Sequence, residues 1–199
     1  MVKVYTELVA LCVQNPDCVT WASLVRDLLL KCGMGTYWIA QDVGSHKLFL
    51  SMFKRRVKDI YLQDWWAKIL ETSTGRLYQH IKEGFRYEPY LDLLSKATRI
   101  ATTRIRLSSH NFNIERGRWA RLNRGDRRCT LCNVIECEYH VLVSCPRFVN
   151  ERRGRLPAGM SERPCMFEFL RFMKSDCVID VRMLGRRCLA VQLEYMKYM

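Results

Sequence analysis

Residues 129–145 read CTLCNVIECEYHVLVSC, with the spacing Cys129-x2-Cys132, then Cys137, then His140-x4-Cys145. A structural zinc site takes four nitrogen or sulfur ligands in a tetrahedron, and a Cys-x2-Cys pair lets one tight turn deliver two thiolates. The second pair must come back from a neighbouring element. ECEYHVLVSC is expected to start a helix, with His140 near its front and Cys145 near its end. Positions five apart on an α-helix lie on different faces. The last turn is therefore expected to loosen, which Pro146 allows because the residue before proline avoids the α region.

Cys129, Cys132, His140 and Cys145 then make a Cys3His site for one structural Zn2+. Cys137 competes with His140, since Cys129-x2-Cys132-x4-Cys137 is also a usable spacing. Choosing Cys137 leaves an imidazole beside the metal without a role, so His140 is favoured and Cys137 is read as a partly exposed thiol nearby. The alternative for the whole group is that the cysteines pack as small hydrophobes. With all four positions filled by protein, no open position is left for an activated water, so no catalysis is expected at the metal. Glu136 and Glu138 are read as solvated, or as useful acids at a helix N-terminus.

What such a site serves is suggested by the residues before it. From Arg99 to Arg128 there are nine arginines, opposed only by Glu115 and Asp126. Arginine suits bidentate contacts to phosphate. The candidates for gripping a nucleic acid are Arg104, Arg106, Arg116, Arg118, Arg121, Arg124, Arg127 and Arg128. Trp119 and His110 are candidates for stacking on bases. The competing reading is a solvated basic face around a structural metal module.

The whole composition agrees with an anionic partner. Lys+Arg number 33 against 20 Asp+Glu, a formal net charge of +13, which puts RNA or DNA ahead of a membrane surface. An apolar content of 49% over 199 residues belongs to a folded chain with a core. No secretory signal is visible in the first apolar stretch, and no run is long enough to span a bilayer. Ten cysteines are then better read as reduced thiols and metal ligands than as disulfides. A nuclear or cytoplasmic location is the expectation; Cys12, Cys18 and Cys32 lack framework spacing.

Apolar periodicity predicts a mainly α protein. Residues 1–14 form an amphipathic helix with Val4, Leu8 and Leu11 on one stripe, stopped by Asn15-Pro16-Asp17. Thr20 caps a helix over 21–32 that Gly33 ends. Ser45 is the expected cap of the longest helix, 46–72, with Leu48, Met52, Phe53, Val57, Ile60 and Ile69 on one stripe and Ser73-Thr74-Gly75 closing it. In that helix at least one of Trp65 and Trp66 is expected in the core, their adjacent positions pointing apart. Shorter helices are expected over 76–85, 88–96 and 97–109. Residues 110–128 lack periodicity and are read as an ordered basic loop. Residues 164–173 and 178–199 are again amphipathic, and 154–164 is the one loop rich enough in breakers to be a hinge. The expected division is a helical region 1–98, a basic segment with the zinc module 99–153, and a C-terminal helical tail 154–199.

Residues 104–148, RIRLSSHNFNIERGRWARLNRGDRRCTLCNVIECEYHVLVSCPRF, resemble the C-terminal region of the reverse transcriptase of non-LTR (LINE-type) retrotransposons. In that family an R-x-SSH-x-hydrophobic-x-IE-x-GR stretch runs into C-x2-C, an acidic segment ending in a histidine, and a final Cys-Pro. Ser108, Ser109 and His110, then Ile114, Glu115, Gly117 and Arg118, stand at the matching places. Cys129, Cys132, His140 and Cys145 match the family's zinc knuckle, and Cys137 replaces the usual acid before Glu138. GTYWIAQ, FKRRVKDIYLQDWWAKI and EPYLDLL are similar to the region that follows the polymerase. The resemblance implies a zinc-dependent hold on the element's RNA or its target DNA, for a polymerase domain encoded elsewhere. The polymerase's own Phe/Tyr-x-Asp-Asp pair has no counterpart here: Tyr90-Leu91-Asp92-Leu93 carries a single acid. Two-metal phosphoryl transfer needs several carboxylates together, so this chain is expected to bind without catalysing. The rival expectations are a protein-interaction module on an apolar face of residues 178–198, and a decayed transposon fragment.

Overall fold

The protein is described by a computed structural model that covers residues 2–15, 19–72 and 75–198, with the side chains of residues 2–5 and 158 left out. Pro16, Asp17 and Cys18 at the expected first stop, Ser73 and Thr74 at the expected end of the long helix, and the Val4 side chain lie outside the described residues. Twelve α-helices are described: α1 (Val2–Gln14), α2 (Trp21–Lys31), α3 (Gly35–Ala40), α4 (His46–Glu71), α5 (Arg76–Ile81) and α6 (Tyr90–Leu93). They continue as α7 (Lys96–Arg106), α8 (Asn113–Trp119), α9 (Val149–Arg152), α10 (Ala158–Glu162), α11 (Met166–Lys174) and α12 (Val178–Met196). Among the described residues there is no strand, only one antiparallel bridge between Arg128 and Ile135. No described helix is long and apolar enough to cross a membrane.

The chain divides into two compact units, residues 1–67 and 68–199. The expected boundaries at 98/99 and 153/154 both fall inside the second of these, and the first cuts through α7.

In the first unit α2 is capped as its sequence requires. The Ser23 backbone N–H donates to Thr20 Oγ1 at 3.1 Å, and the Thr20 N–H donates to Ser23 Oγ at 2.8 Å. At the other end Gly33 takes a φ of +68°, while the Met34 N–H reaches back to Leu29 O at 2.8 Å, the turn that glycine makes cheap. A small core of Leu29, Cys32 and Met34 gathers Tyr37, Phe49 and Phe53 around it. The long helix α4 differs from its expected role: none of its residues is buried, and Leu48, Met52 and Val57 are exposed. Trp65 and Trp66 are both half-buried, with ring centroids 5.6 Å apart, so their rings converge instead of splitting between core and solvent.

The second unit is built around α7 and α12. Gly185 of α12 allows their close approach, because a Cβ there would lie 2.7 Å from Leu94 Cδ2 and 3.2 Å from Thr98 Cβ. Gln192 then ties α12 to α7, its amide donating to Ala101 O at 2.9 Å. Val181, Leu184, Cys188, Val191 and Tyr195 of α12 face inward. The main apolar face of residues 178–198 is thus spent on the core, leaving Val178, Ile179, Leu193, Met196 and Tyr198 exposed. That core also takes in Phe112, Ile114, Val141, Leu142, Phe148 and Phe169, so the cysteine-rich segment, α11 and α12 share one interior. The expected hinge at 154–164 holds the short helix α10, with Leu156 and Met160 buried in the same interior.

Candidate metal centre and nucleic-acid interface

The Cys129–Cys132 turn closes on itself, Asn133 N–H donating to Cys129 O at 2.9 Å and Cys129 N–H to Val134 O at 2.8 Å. Asn133 adopts a φ of +54°, a conformation that asparagine tolerates better than most residues. Arg128 braces the turn from outside, donating to Gly125 O at 2.7 Å and Asn133 O at 2.9 Å.

The second pair of ligands is delivered by a feature the sequence did not announce. Residues His140–Ser144 form a single π-helical turn, closed by the Cys145 N–H donating to His140 O at 2.7 Å. On an α-helix, positions five apart point about 140° away from each other. Widening the turn to an i→i+5 hydrogen bond brings them back to one side, and such turns concentrate at functional sites. The expected loosening is therefore a regular wider winding, after which Cys145 turns extended before Pro146.

Cys129, Cys132, His140 and Cys145 come together, with their ligand atoms all within 4.8 Å of one another. The Cys145 sulfur lies 3.9 Å from those of both Cys129 and Cys132. Zinc–sulfur bonds of about 2.3 Å in a tetrahedron place ligand sulfurs ~3.8 Å apart, so the spacing suits a cation of that size. His140 Nε2 is buried and has no hydrogen-bond partner among the described residues, as a nitrogen reserved for a metal would be. Burial, joined by the neighbouring Cys129, pushes the Cys145 thiol up to about 12. Burial also pulls the His140 pKa below its ordinary value, which keeps the ring neutral and able to ligate. Cys137 stands outside this group, half-buried, its thiol pushed up by burial.

Three groups hold the turn in place from a distance. Arg187 of α12 is fully buried and donates to Leu142 O at 2.8 Å, Val141 O at 3.1 Å and Phe148 O at 3.4 Å. The Val141 and Leu142 carbonyls lie at a helix end where Pro146 offers no N–H, so a side chain satisfies them, and Phe148 O belongs to the 3-10 turn that follows. Glu136 accepts from the Asn113 N–H at 2.8 Å, at the start of α8, and from the Tyr195 hydroxyl. Glu138 accepts from Ser108 Oγ at 2.9 Å and from His110 Nε2 at 3.1 Å. Both glutamates are buried, which corrects the expectation that they are solvated. Arg187 and Tyr195 were not read as site residues. The signal was available, since an arginine interrupts the inward stripe Leu184, Cys188, Val191.

The basic segment is more helical than expected, and not all of it is available. Residues 113–119 form α8 in place of the expected loop, with a short 3-10 turn at Arg124–Asp126. α8 is bound to the cysteine turn, Ile114 N–H donating to Glu136 O at 3.3 Å and Asn113 Nδ2 to Arg128 O at 2.8 Å, while Glu136 N–H donates to Arg127 O at 2.9 Å across the turn itself. Gly117 permits this contact, because a Cβ there would meet Arg127 Cγ at 2.5 Å.

Arg106 and His110 are corrections. Arg106 is buried, pairs with Glu88 at 2.8 Å, donates to Met173 O, and sits 4.9 Å from the Tyr90 ring centroid. His110 is buried against Phe112, its Nδ1 accepting the Phe112 N–H at 3.3 Å while Nε2 donates to Glu138. Both are structural, and neither can meet a polyanion. Arg118 is held by Glu115 at 2.7 Å, and Arg127 donates to the Ile114 and Leu122 carbonyls. The side chains of Arg104, Arg116, Arg121 and Arg124 are exposed and make no hydrogen bond or ion pair among the described residues. Trp119 is exposed, with the Arg118 guanidinium 5.9 Å from its ring centroid.

No family model, curated protein or solved structure matches this chain.

Proposed function

We propose that the chain is a zinc-stapled, nucleic-acid-binding fragment akin to the C-terminal region of a non-LTR retrotransposon reverse transcriptase. In this reading one Zn2+ is held by Cys129, Cys132, His140 and Cys145, forming a structural knuckle. The observation that carries the reading is the joint one: four ligand atoms converge, and α8 with its arginines is hydrogen-bonded to the backbone of the same turn. Ordering the turn therefore orders the basic surface.

Structural zinc contributes about 10–16 kcal/mol in finger peptides. That is comparable to the entire stability of a domain, about 5–15 kcal/mol. The metal decides whether the knuckle, and the surface resting on it, is folded. Phosphates are gripped by Arg104, Arg116, Arg121 and Arg124, the arginines whose side chains remain uncommitted, with Trp119 beside them. The reading assigns binding and no chemistry, the polymerase being supplied by another part of the element.

The test is binding of the zinc-loaded chain to a structured RNA across a salt series. With about four phosphate contacts, log K falls against log salt with a slope of roughly −3 to −4. Absent binding, or binding that ignores salt, overturns the reading.

A further inference from the structure

Two adjoining hollows in the second unit border the open arginine surface at Arg124. The larger, about 610 Å³, is lined by Tyr139, Met166 and Leu170 and by the polar Glu71, Gln79 and His80. That is within the ~300–1,000 Å³ usual for small-ligand sites. The smaller, about 100 Å³, is lined by Arg76, Arg118, Arg124 and Arg127 together with Glu115 and Glu138. Arg76, Arg124 and Glu138 line both, so the two are continuous.

The charges in the smaller hollow are unequally committed. Glu115 is neutralised by Arg118, and Glu138 accepts from Ser108 and His110. Arg127 is spent on the Ile114 and Leu122 carbonyls. Arg76 and Arg124 remain, exposed, with no hydrogen bond or ion pair from their side chains among the described residues. Two open guanidinium groups beside a small hollow suit a phosphate, which arginine holds through paired N–H groups. Next door, Tyr139, Met166 and Leu170 offer an apolar wall to the flat face of a base, with Gln79 and His80 beside it for the polar edge.

We propose that one nucleotide of a single-stranded nucleic acid lodges here, its phosphate between Arg76 and Arg124 and its base in the larger hollow against Tyr139. The proposal rests on the nucleic-acid reading above and adds a strand preference to it. A duplex keeps its bases stacked and paired and must give up that energy to offer one to a pocket. A single strand offers it freely. Arg76 lies outside the basic segment, so the site extends the contact surface to α5.

The experiment measures anisotropy of a labelled single-stranded RNA and of the matching duplex with the full zinc-loaded chain, at one salt concentration. A base stacked in the hollow gives the single strand about a tenfold advantage or more. Arg76→Glu removes that advantage and leaves duplex affinity nearly unchanged, whereas Arg104→Glu weakens both. Thr72→Trp, which intrudes on the larger hollow, gives the same selective loss and serves if Arg76→Glu does not fold. Equal wild-type affinity for the two forms, or variants that weaken both equally, overturns the pocket while the nucleic-acid reading stands. Failure to bind either form overturns both.

Discussion

The Arg187 guanidinium and the Leu142 carbonyl, 45 residues apart in sequence, meet at 2.8 Å in the dry interior between α12 and the π-helical turn. The same guanidinium reaches Val141 O, so one side chain closes a helix end that the backbone cannot close, and it also ties in Phe148 O of the next turn. Arg187→Met keeps much of the volume and orphans these buried acceptors. Leaving a buried polar group unmatched costs about 1–3 kcal/mol. Chemical denaturation of the zinc-loaded variant is expected to show a loss of about 3 kcal/mol, with Arg187→Lys retaining part of it. Unchanged stability would mean that the contact does not brace the turn.

His110 makes a second prediction because its place in the molecule changed between sequence and structure. Burial works to raise the Glu138 pKa, but the hydrogen bonds from His110 and Ser108 outweigh it and hold the carboxyl below its usual value. A carboxyl with a lowered folded pKa contributes stability above its unfolded pKa and loses it as pH falls through the folded one. His110→Ala is expected to cost about 2 kcal/mol at neutral pH and to flatten the acid limb of a stability-against-pH curve. It should leave the salt slope of RNA binding untouched. A reduced slope would return His110 to the interface.

The fold was legible where local chemistry decides it. Thr20 and Gly33 fixed both ends of α2, and the apolar spacing found α7, α11 and α12. The ligand set was legible for the same reason: Cys-x2-Cys imposes its own turn. What escaped is set by distant partners. The wider winding over 140–144 depends on Arg187 to satisfy its carbonyls, and nothing within the segment encodes that. Counting arginines could not tell Arg106, buried beside Glu88, from Arg104, exposed two positions earlier on the same helix. The helix expected over 97–109 was read as running through Ser108 and Ser109. Instead Ser108, at a φ of +51°, ends α7 in a left-handed turn that its hydroxyl secures by donating to Glu138. α8 was missed because a seven-residue helix bearing Ile114 and Gly117 inward shows too little periodicity.

A third prediction concerns protons. The Cys145 thiol, pushed up to about 12 by burial, keeps its proton at neutral pH in the metal-free chain. Binding a cation through thiolate sulfur must expel thiol protons, up to one from each of the three cysteines. His140 adds a smaller effect, its folded pKa being lowered by burial. A base so lowered leaves the unfolded chain holding the extra proton, so the metal-free fold weakens as pH drops below the unfolded value of about 6.5. Calorimetry of zinc binding in buffers of different ionisation enthalpy should show release of two to three protons near neutrality, and affinity should fall steeply with acid. Binding without proton release would place the metal elsewhere.

The central claim is that one imidazole and three thiolates close around a single cation and so order the arginine surface above them. Metal analysis of the purified chain and two variants tests it most directly. The account predicts one zinc per chain in the wild type and in Cys137→Ser, and its loss in His140→Ala together with loss of helical signal and RNA binding. Zinc retained by His140→Ala and lost by Cys137→Ser, or a wild-type chain that folds fully without metal, would contradict it.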